Sequence, residues 1–143
     1  MKIEAHAFDG LHSLLTLRLE NNLLVSLKSA TFIGLNSLNV LYLNNSRIQE
    51  AEANAFRGLS KLTELYMNDA KIKTLQNETF VGLESLIRLD LSNNPIVVIE
   101  QGAFTGLSKL TELKLKFTNV LTLQNGTFAD LYLLKSLYIS YSL

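Results

Sequence analysis

Large apolar residues recur along this chain at spacings of two and three, and the whole set returns every 24 residues. Leu14, Leu17 and Leu19 are followed by Leu38, Leu41 and Leu43, then by Leu62, Leu65 and Met67. The set continues as Leu86, Leu89 and Leu91, Leu110, Leu113 and Leu115, and Leu134, Leu137 and Ile139. Within each L-x-L the intervening residue is polar or aromatic, which is the period of a strand with one buried face. Two more columns share the register: Phe8, Phe32, Phe56, Phe80, Phe104 and Phe128, and Leu11, Leu35, Leu59, Leu83, Leu107 and Leu131. A glycine column at Gly10, Gly34, Gly58, Gly82 and Gly106 is broken only by Asp130. One short strand per turn cannot bury its apolar face alone. Stacked turns lay the strands into one parallel sheet, with the Phe and Leu columns filling the back of the coil. At ~4.8 Å between strands, six would span roughly 25 Å. An amphipathic helical bundle is the alternative, and the L-x-L spacing with its constant period argues against it.

A second period is superimposed on the first. "GLSKLTEL" stands at 58–65 and 106–113, and "TLQNETF" at 74–80 is matched by "TLQNGTF" at 122–128, both at an offset of 48. Two adjacent repeats have been duplicated as a unit.

The repeat reads L-x-x-L-x-L-x-x-N-x-I-x-x-L-x-x-x-x-F-x-G-L-x-x and resembles the typical class of leucine-rich repeat. Five complete repeats begin at Leu14, Leu38, Leu62, Leu86 and Leu110, with partial repeats at both ends, so residues 1–143 form one domain. The F-x-G-L-x-x-L-x-x-L-x-L phrasing, with Ala7–Phe8, Ala55–Phe56 and Ala103–Phe104, is similar to the ectodomains of Toll-like receptors and of Slit-type and matrix adhesion proteins. That resemblance implies an α/β solenoid. Its coil is curved and right-handed, with one parallel sheet on the concave face and irregular or short helical segments on the convex face. It also implies recognition of a protein or pathogen ligand by a rigid scaffold, and no catalytic residues. Members of this kind usually cover their terminal repeats. Here Ile3 already stands in the column of Leu27, Leu75 and Ile99, and the sequence stops inside a repeat at "LYISYSL". The expectation is a fragment of a longer solenoid, marginal or prone to association through its open ends when isolated.

The resemblance further implies an Asn after each L-x-L, bonding the backbone of adjoining turns. The column here is Asn22, Ser46, Ala70, Asn94, Thr118 and Ser142. Ser and Thr supply part of that bonding and Ala70 none, and an unpaired buried backbone group costs ~1–3 kcal/mol. Either a water or a neighbour such as Asp69 fills in, or Ala70 marks a local weak point.

Composition narrows the function more than it defines it. Thirteen acidic residues balance thirteen basic ones without a run of either sign, so nucleic acid and anionic membrane surfaces are not expected partners. Cysteine is absent, which removes disulfides, thiolate metal sites and thiol nucleophiles. No apolar run approaches the ~20 residues of a membrane span, and "MKIEAHAF" lacks the apolar stretch of a signal peptide. His6 and His12, with Asp9 between them, read as surface loop residues. No phosphate loop, nucleophile elbow or metal-ligand cluster occurs. No enzyme activity, cofactor or metal is expected.

The strand residues that point away from the core carry the information. Between the paired leucines stand Arg18, Tyr42, Tyr66, Asp90, Lys114 and Tyr138, and Arg88 lies in the flanking column of Thr16, Val40, Glu64, Glu112 and Ser136. This mixture of Tyr, Arg, Asp and Lys suits a protein ligand or co-receptor, since Tyr and Arg are enriched at interface hot spots. Three N-x-[ST] sequons are N-glycosylation candidates. Asn77 and Asn125 share a repeat position away from the strand, whereas Asn44 lies on the strand face. Phe117 stands where the other turns have Asn21, Asn45, Asp69 and Asn93; it either packs on Tyr141 or anchors a partner. The expected setting is extracellular or cell-surface, within a longer protein. A structural or adhesive array and an intracellular scaffold are the alternatives.

Overall fold

The computed structural model describes residues 1–4 and 6–141. Among the described residues ten short strands line two walls of a coil, the first nine in alternation. On the concave wall β1 (Thr16–Arg18), β3 (Val40–Tyr42), β5 (Glu64–Tyr66), β7 (Arg88–Asp90), β9 (Glu112–Thr118) and β10 (Ser136–Tyr141) form one sheet in that order, all parallel. Leu17, Leu41, Leu65, Leu89, Leu113 and Leu137 are register partners in turn, so the 24-residue period of the sequence is the repeat of the coil. The central leucine of β3, β5 and β7 faces inward and is fully buried, while its two neighbours face out. Each such leucine stabilises by roughly 1.5–3 kcal/mol of removed apolar surface.

The back of the coil is built from turns. In each repeat the leucine that follows the glycine donates its amide to the phenylalanine carbonyl three residues earlier, as in Leu59 to Phe56 and Leu83 to Phe80. This closes F-x-G-L into a tight turn whose third residue takes positive φ. The phenylalanines point inward and stack as a continuous spine from Phe8 to Phe128, with ring centroids 5.7–6.1 Å apart. The first and last turns lack a neighbour on one side. Leu11, Leu137 and Ile139 are 45%, 41% and 41% exposed, where Leu35, Leu113 and Leu115 are at 0%. Burial in this coil therefore comes from the adjacent turn.

The 48-residue period also has a structural counterpart. The convex-side strands β2 (Ser26–Leu27), β4 (Glu50–Ala51), β6 (Thr74–Leu75) and β8 (Val98–Ile99) pair as β2–β4 and β6–β8, two separate two-stranded sheets. Glu52 accepts from the Ser29 amide and the Lys28 ammonium, and Glu100 accepts from the Asn77 amide. Their column-mates Gln76 and Gln124 carry no carboxylate. Backbone bonds follow the same alternation, with Ala30 donating to Asn54 and Glu78 to Gly102. Turns are thus clasped in pairs.

That alternation predicts unequal responses to the same change. Gly82 and Gly106 both have positive φ, at 101° and 94°. A Cβ on Gly82 would lie 2.9 Å from the Phe56 carbonyl oxygen and 3.1 Å from the Arg57 Cα, whereas on Gly106 nothing comes nearer than 3.5 Å. Gly106→Ala is expected to cost about 1 kcal/mol, the strain of an L residue at positive φ. Gly82→Ala should cost roughly 1–3 kcal/mol more, because backbone rather than side chain must move. Equal urea midpoints for the two variants would contradict the pairwise clasp.

Candidate functional site

Alternation along β1, β3, β5, β7 and β9 sends one column of side chains to the concave surface at each outward position. Parallel pairing in register then sets column-mates side by side, one strand apart. Arg18 lies over the Tyr42 ring, its guanidinium carbon 4.5 Å from the centroid, and Tyr42 stacks on Tyr66 with centroids 4.9 Å apart and planes 5° apart. The shelf continues through Glu64, which accepts the Tyr66 hydroxyl and lies 3.6 Å from Arg88 Nη1. Arg88 Nε lies 3.4 Å from Glu112, and Lys114 Nζ sits 3.4 Å from Glu112 and 4.0 Å from Asp90. Six of the seven residues expected at the site are thereby joined, directly or through Glu64 and Glu112. Tyr138, the seventh, stands one turn on, with the Lys116 ammonium 4.7 Å from its ring centroid.

Where Tyr66, Arg88, Asp90, Glu112 and Lys114 meet they surround a shallow hollow of about 90 Å³ floored by Leu89. The sequence lists the same residues as separate charges; the coil makes them neutralise one another. Glu64, Arg88 and Glu112 are successive members of one column with alternating sign, and that is the signal from which the lattice can be read. At the first strand the bond from Arg18 to Glu20, 2.9 Å long, raises the guanidinium pKa and lowers that of the carboxyl.

The bond to Glu64, with partial burial, pushes the Tyr66 phenol up to about 12 from an ordinary 10.0. A raised folded-state value means that this interaction stabilises below the ordinary phenol range and is lost as pH climbs through about 12. Glu64→Gln removes the acceptor charge, so Tyr66 should then ionise closer to its ordinary value. Ultraviolet titration of phenolate absorbance, with Tyr66→Phe to assign the step, measures this. An unmoved step would show that Glu64 is not its cause.

The remaining expected residues fall elsewhere. Asn77 and Asn125 are exposed on the convex-side turns, while Asn44 is half-buried at the end of β3. Thr79 and Thr127, which complete two of the sequons, are buried and donate to the Gln76 and Gln124 carbonyls. His6 and Asp9 pair at 3.2 Å on the surface, and among the described residues no cluster of metal-binding side chains forms. No helix among the described residues is long and apolar enough to cross a membrane.

Two positions that the sequence leaves open are answered by the coil. Ala70 is buried, and one of the groups it leaves open, the Met67 carbonyl, is served by a neighbouring side chain: Asn94 of the following turn donates its Nδ2 there at 2.8 Å. Asp69 instead accepts from Asn68. Phe117 does not stack on Tyr141, and each is about half exposed. Ser142, the last of the Asn column, lies outside the described residues.

Comparison with known proteins decides the family. The sequence model for leucine rich repeats matches residues 2–47, 36–96 and 86–143. The chain belongs to the leucine-rich repeat family. Among solved structures, TLR13 in its complex with ssRNA13 superposes on this leucine-rich repeat coil with a TM-score of 0.89. Identity there is 34%, over 94% of this chain and 20% of that one. Toll from Drosophila, in its glycosylated complex with Spatzle, gives 0.79 at 21% identity, over 95% of this chain and 23% of that chain, a likeness of fold. The leucine-rich repeats described here thus span between a fifth and a quarter of the length of either structure. No curated protein matches the chain.

Proposed function

We propose that this chain is a protein-recognition segment of an extracellular, receptor-type leucine-rich repeat protein of innate immunity. Its partner meets the concave face through Arg18, Tyr42, Tyr66, Arg88, Asp90, Lys114 and Tyr138. The observation that carries the reading is the unbroken lattice from Arg18 to Lys114. Long side chains already held by stacking and ion pairs lose little further freedom on binding, and they offer aromatic surface and both signs of charge within one patch. The family and the fold shared with TLR13 and Toll support a receptor setting.

The neighbour TLR13 is described with ssRNA13 and Toll with Spatzle. Here Glu64, Asp90 and Glu112 are interleaved with Arg88 and Lys114, and such a face lacks the continuous positive stripe that phosphates require. Protein is the partner this chemistry fits. Glycans on Asn77 and Asn125 would leave the lattice open, whereas one on Asn44 would crowd it.

The test places a benzophenone amino acid at Tyr42 in one variant and at Lys109, exposed in a turn outside the concave strands, in another. Both are expressed in the native source and irradiated. A crosslinked protein from the Tyr42 variant alone, lost on reversing Arg88, Asp90 and Lys114, is the expected result. Crosslinks from Lys109 alone, or indifference to the charge reversal, would point to a spacer or adhesive array. Peptide mapping of the same material should find glycan on Asn77 and Asn125; bare asparagines there would favour an intracellular scaffold.

A further inference from the structure

Three residues after the outward-facing Arg18, Tyr42, Tyr66, Asp90 and Lys114, the chain passes through one residue in the left-handed region. Asn21, Asn45, Asp69 and Asn93 hold that place at φ 52–59°, and these are the residue types that tolerate it. The fifth turn puts Phe117 there, at φ 55°. Its predecessors donate their amides to a backbone carbonyl of the following turn, and the Phe117 amide donates to the Ser140 hydroxyl, at 3.0 Å. Pairing of β9 with β10 shifts register in the same place, from Ile139↔Leu115 to Tyr141↔Thr118. The bulky ring gains little burial in return, being 54% exposed. A large apolar residue in a strained conformation, half in water, is retained at a stability cost that the fold does not offset.

What lies beside it gives the ring a use. Phe117 forms one wall of an open hollow of about 240 Å³, with Pro95, Asn93, Asn119 and Lys71 around it. Farther along the same edge Lys73 and Pro95 border a second depression. Arg47, Lys71 and Lys73 are exposed, and among the described residues none has a carboxylate within salt-bridge distance. Two carboxylates lie nearby and each has another partner: Glu50, which borders the second depression, is 3.6 Å from Lys28, and Asp69 accepts from Asn68. The concave face neutralises its charges internally; this edge leaves two cations, Lys71 and Lys73, beside an unfilled apolar wall.

We propose that the edge at Phe117 is a second docking surface, which takes an acidic segment of a partner protein and seats one of its apolar side chains against Phe117 and Pro95. The proposal is independent of the concave-face reading, because none of the residues it uses belongs to that lattice.

The probe is a synthetic peptide of glutamates around a single central tryptophan, added to isotope-labelled protein and followed by amide chemical shifts. Its control carries lysines in place of the glutamates. Shifts at Lys71, Phe117 and Asn119, weakening with added salt, and none with the lysine peptide, are expected. Phe117→Asn restores the residue type of the other turns, so its melting temperature should rise while peptide affinity falls by about tenfold or more. Loss of fold cannot explain that combination. Reversing Lys71 and Lys73 should weaken binding at unchanged stability. Equal response to both peptides, unchanged affinity in Phe117→Asn, or shifts confined to the concave strands would overturn the proposal. Shifts at the edge produced by anionic lipid vesicles in place of the glutamate peptide would overturn it too.

Discussion

Asn94→Ala is expected to cost roughly 3–5 kcal/mol, more than any other single polar substitution in the chain. The amide of Asn94 is 1% exposed and binds four buried backbone groups across two turns, the longest bond reaching the Ser92 carbonyl at 3.4 Å. Its Nδ2 donates to the carbonyls of Met67 at 2.8 Å and Leu91 at 3.0 Å, and its Oδ1 accepts from the Ile72 amide at 3.1 Å. The alanine at position 70 makes this residue more important, because the preceding turn has no side chain of its own to bond Met67. With both positions alanine, two carbonyls and one amide would face apolar surroundings, at ~1–3 kcal/mol for each group that water cannot reach. Asn94→Asp should be no milder, since it keeps the acceptor but turns a carboxylate toward two carbonyl oxygens. The control is Asn22→Ala in the half-buried first turn, where Asn22 bonds only the Leu19 and Glu20 carbonyls. A loss of about 1 kcal/mol is expected there. Urea denaturation gives both numbers. Similar midpoints would show that solvent replaces Asn94 and that the ladder does not bind the turns.

Phe80→Ala should cost a further class of energy, the continuity of the spine. Phe80 is fully buried, with Phe56 at 5.9 Å on one side and Phe104 at 6.1 Å on the other. Truncation of a buried phenylalanine costs about 3–5 kcal/mol through lost transfer energy and the cavity left behind. In a solenoid the cavity also sits between neighbours that contact each other only through adjacent turns, so it weakens the coupling as well as the turn. The variant is expected to unfold in two steps, the turns before and after Phe80 separating, as hydrogen exchange at Leu41 and Leu113 would report. Phe128→Ala, in the partly buried last ring, should lower stability without splitting the transition. A single shared transition in Phe80→Ala would mean that the strand ladder alone couples the turns.

Much of the candidate concave face is legible before folding, and the reason is register. Because pairing follows the 24-residue period without a slip through β9, column-mates in the sequence become neighbours in space. Arg18, Tyr42 and Tyr66 can therefore be placed in one row, and their stacking follows from strand spacing. The direction in which a long side chain leans is not in the column. Arg88 has an acid on each side, and only the packed strands show that it lies within reach of both Glu64 and Glu112. Phe117 was ambiguous for the same reason: a one-letter column shows that it differs from Asn93 but not which backbone conformation that position requires.

Spacing along the chain determined the repeat, the six-stranded parallel sheet, the inward columns and the duplicated pair of turns. Each is a property of spacing, and burial of an apolar face at a fixed period admits one arrangement. Tertiary structure decided the rest, because those outcomes depend on distances between turns. Asn94 serves the turn of Ala70, since the two lie in adjoining coils. Gly82 is crowded and Gly106 is not, though the same letter stands in the same column. Glu52 and Glu100 clasp the turns in pairs, which gives the 48-residue period a physical basis.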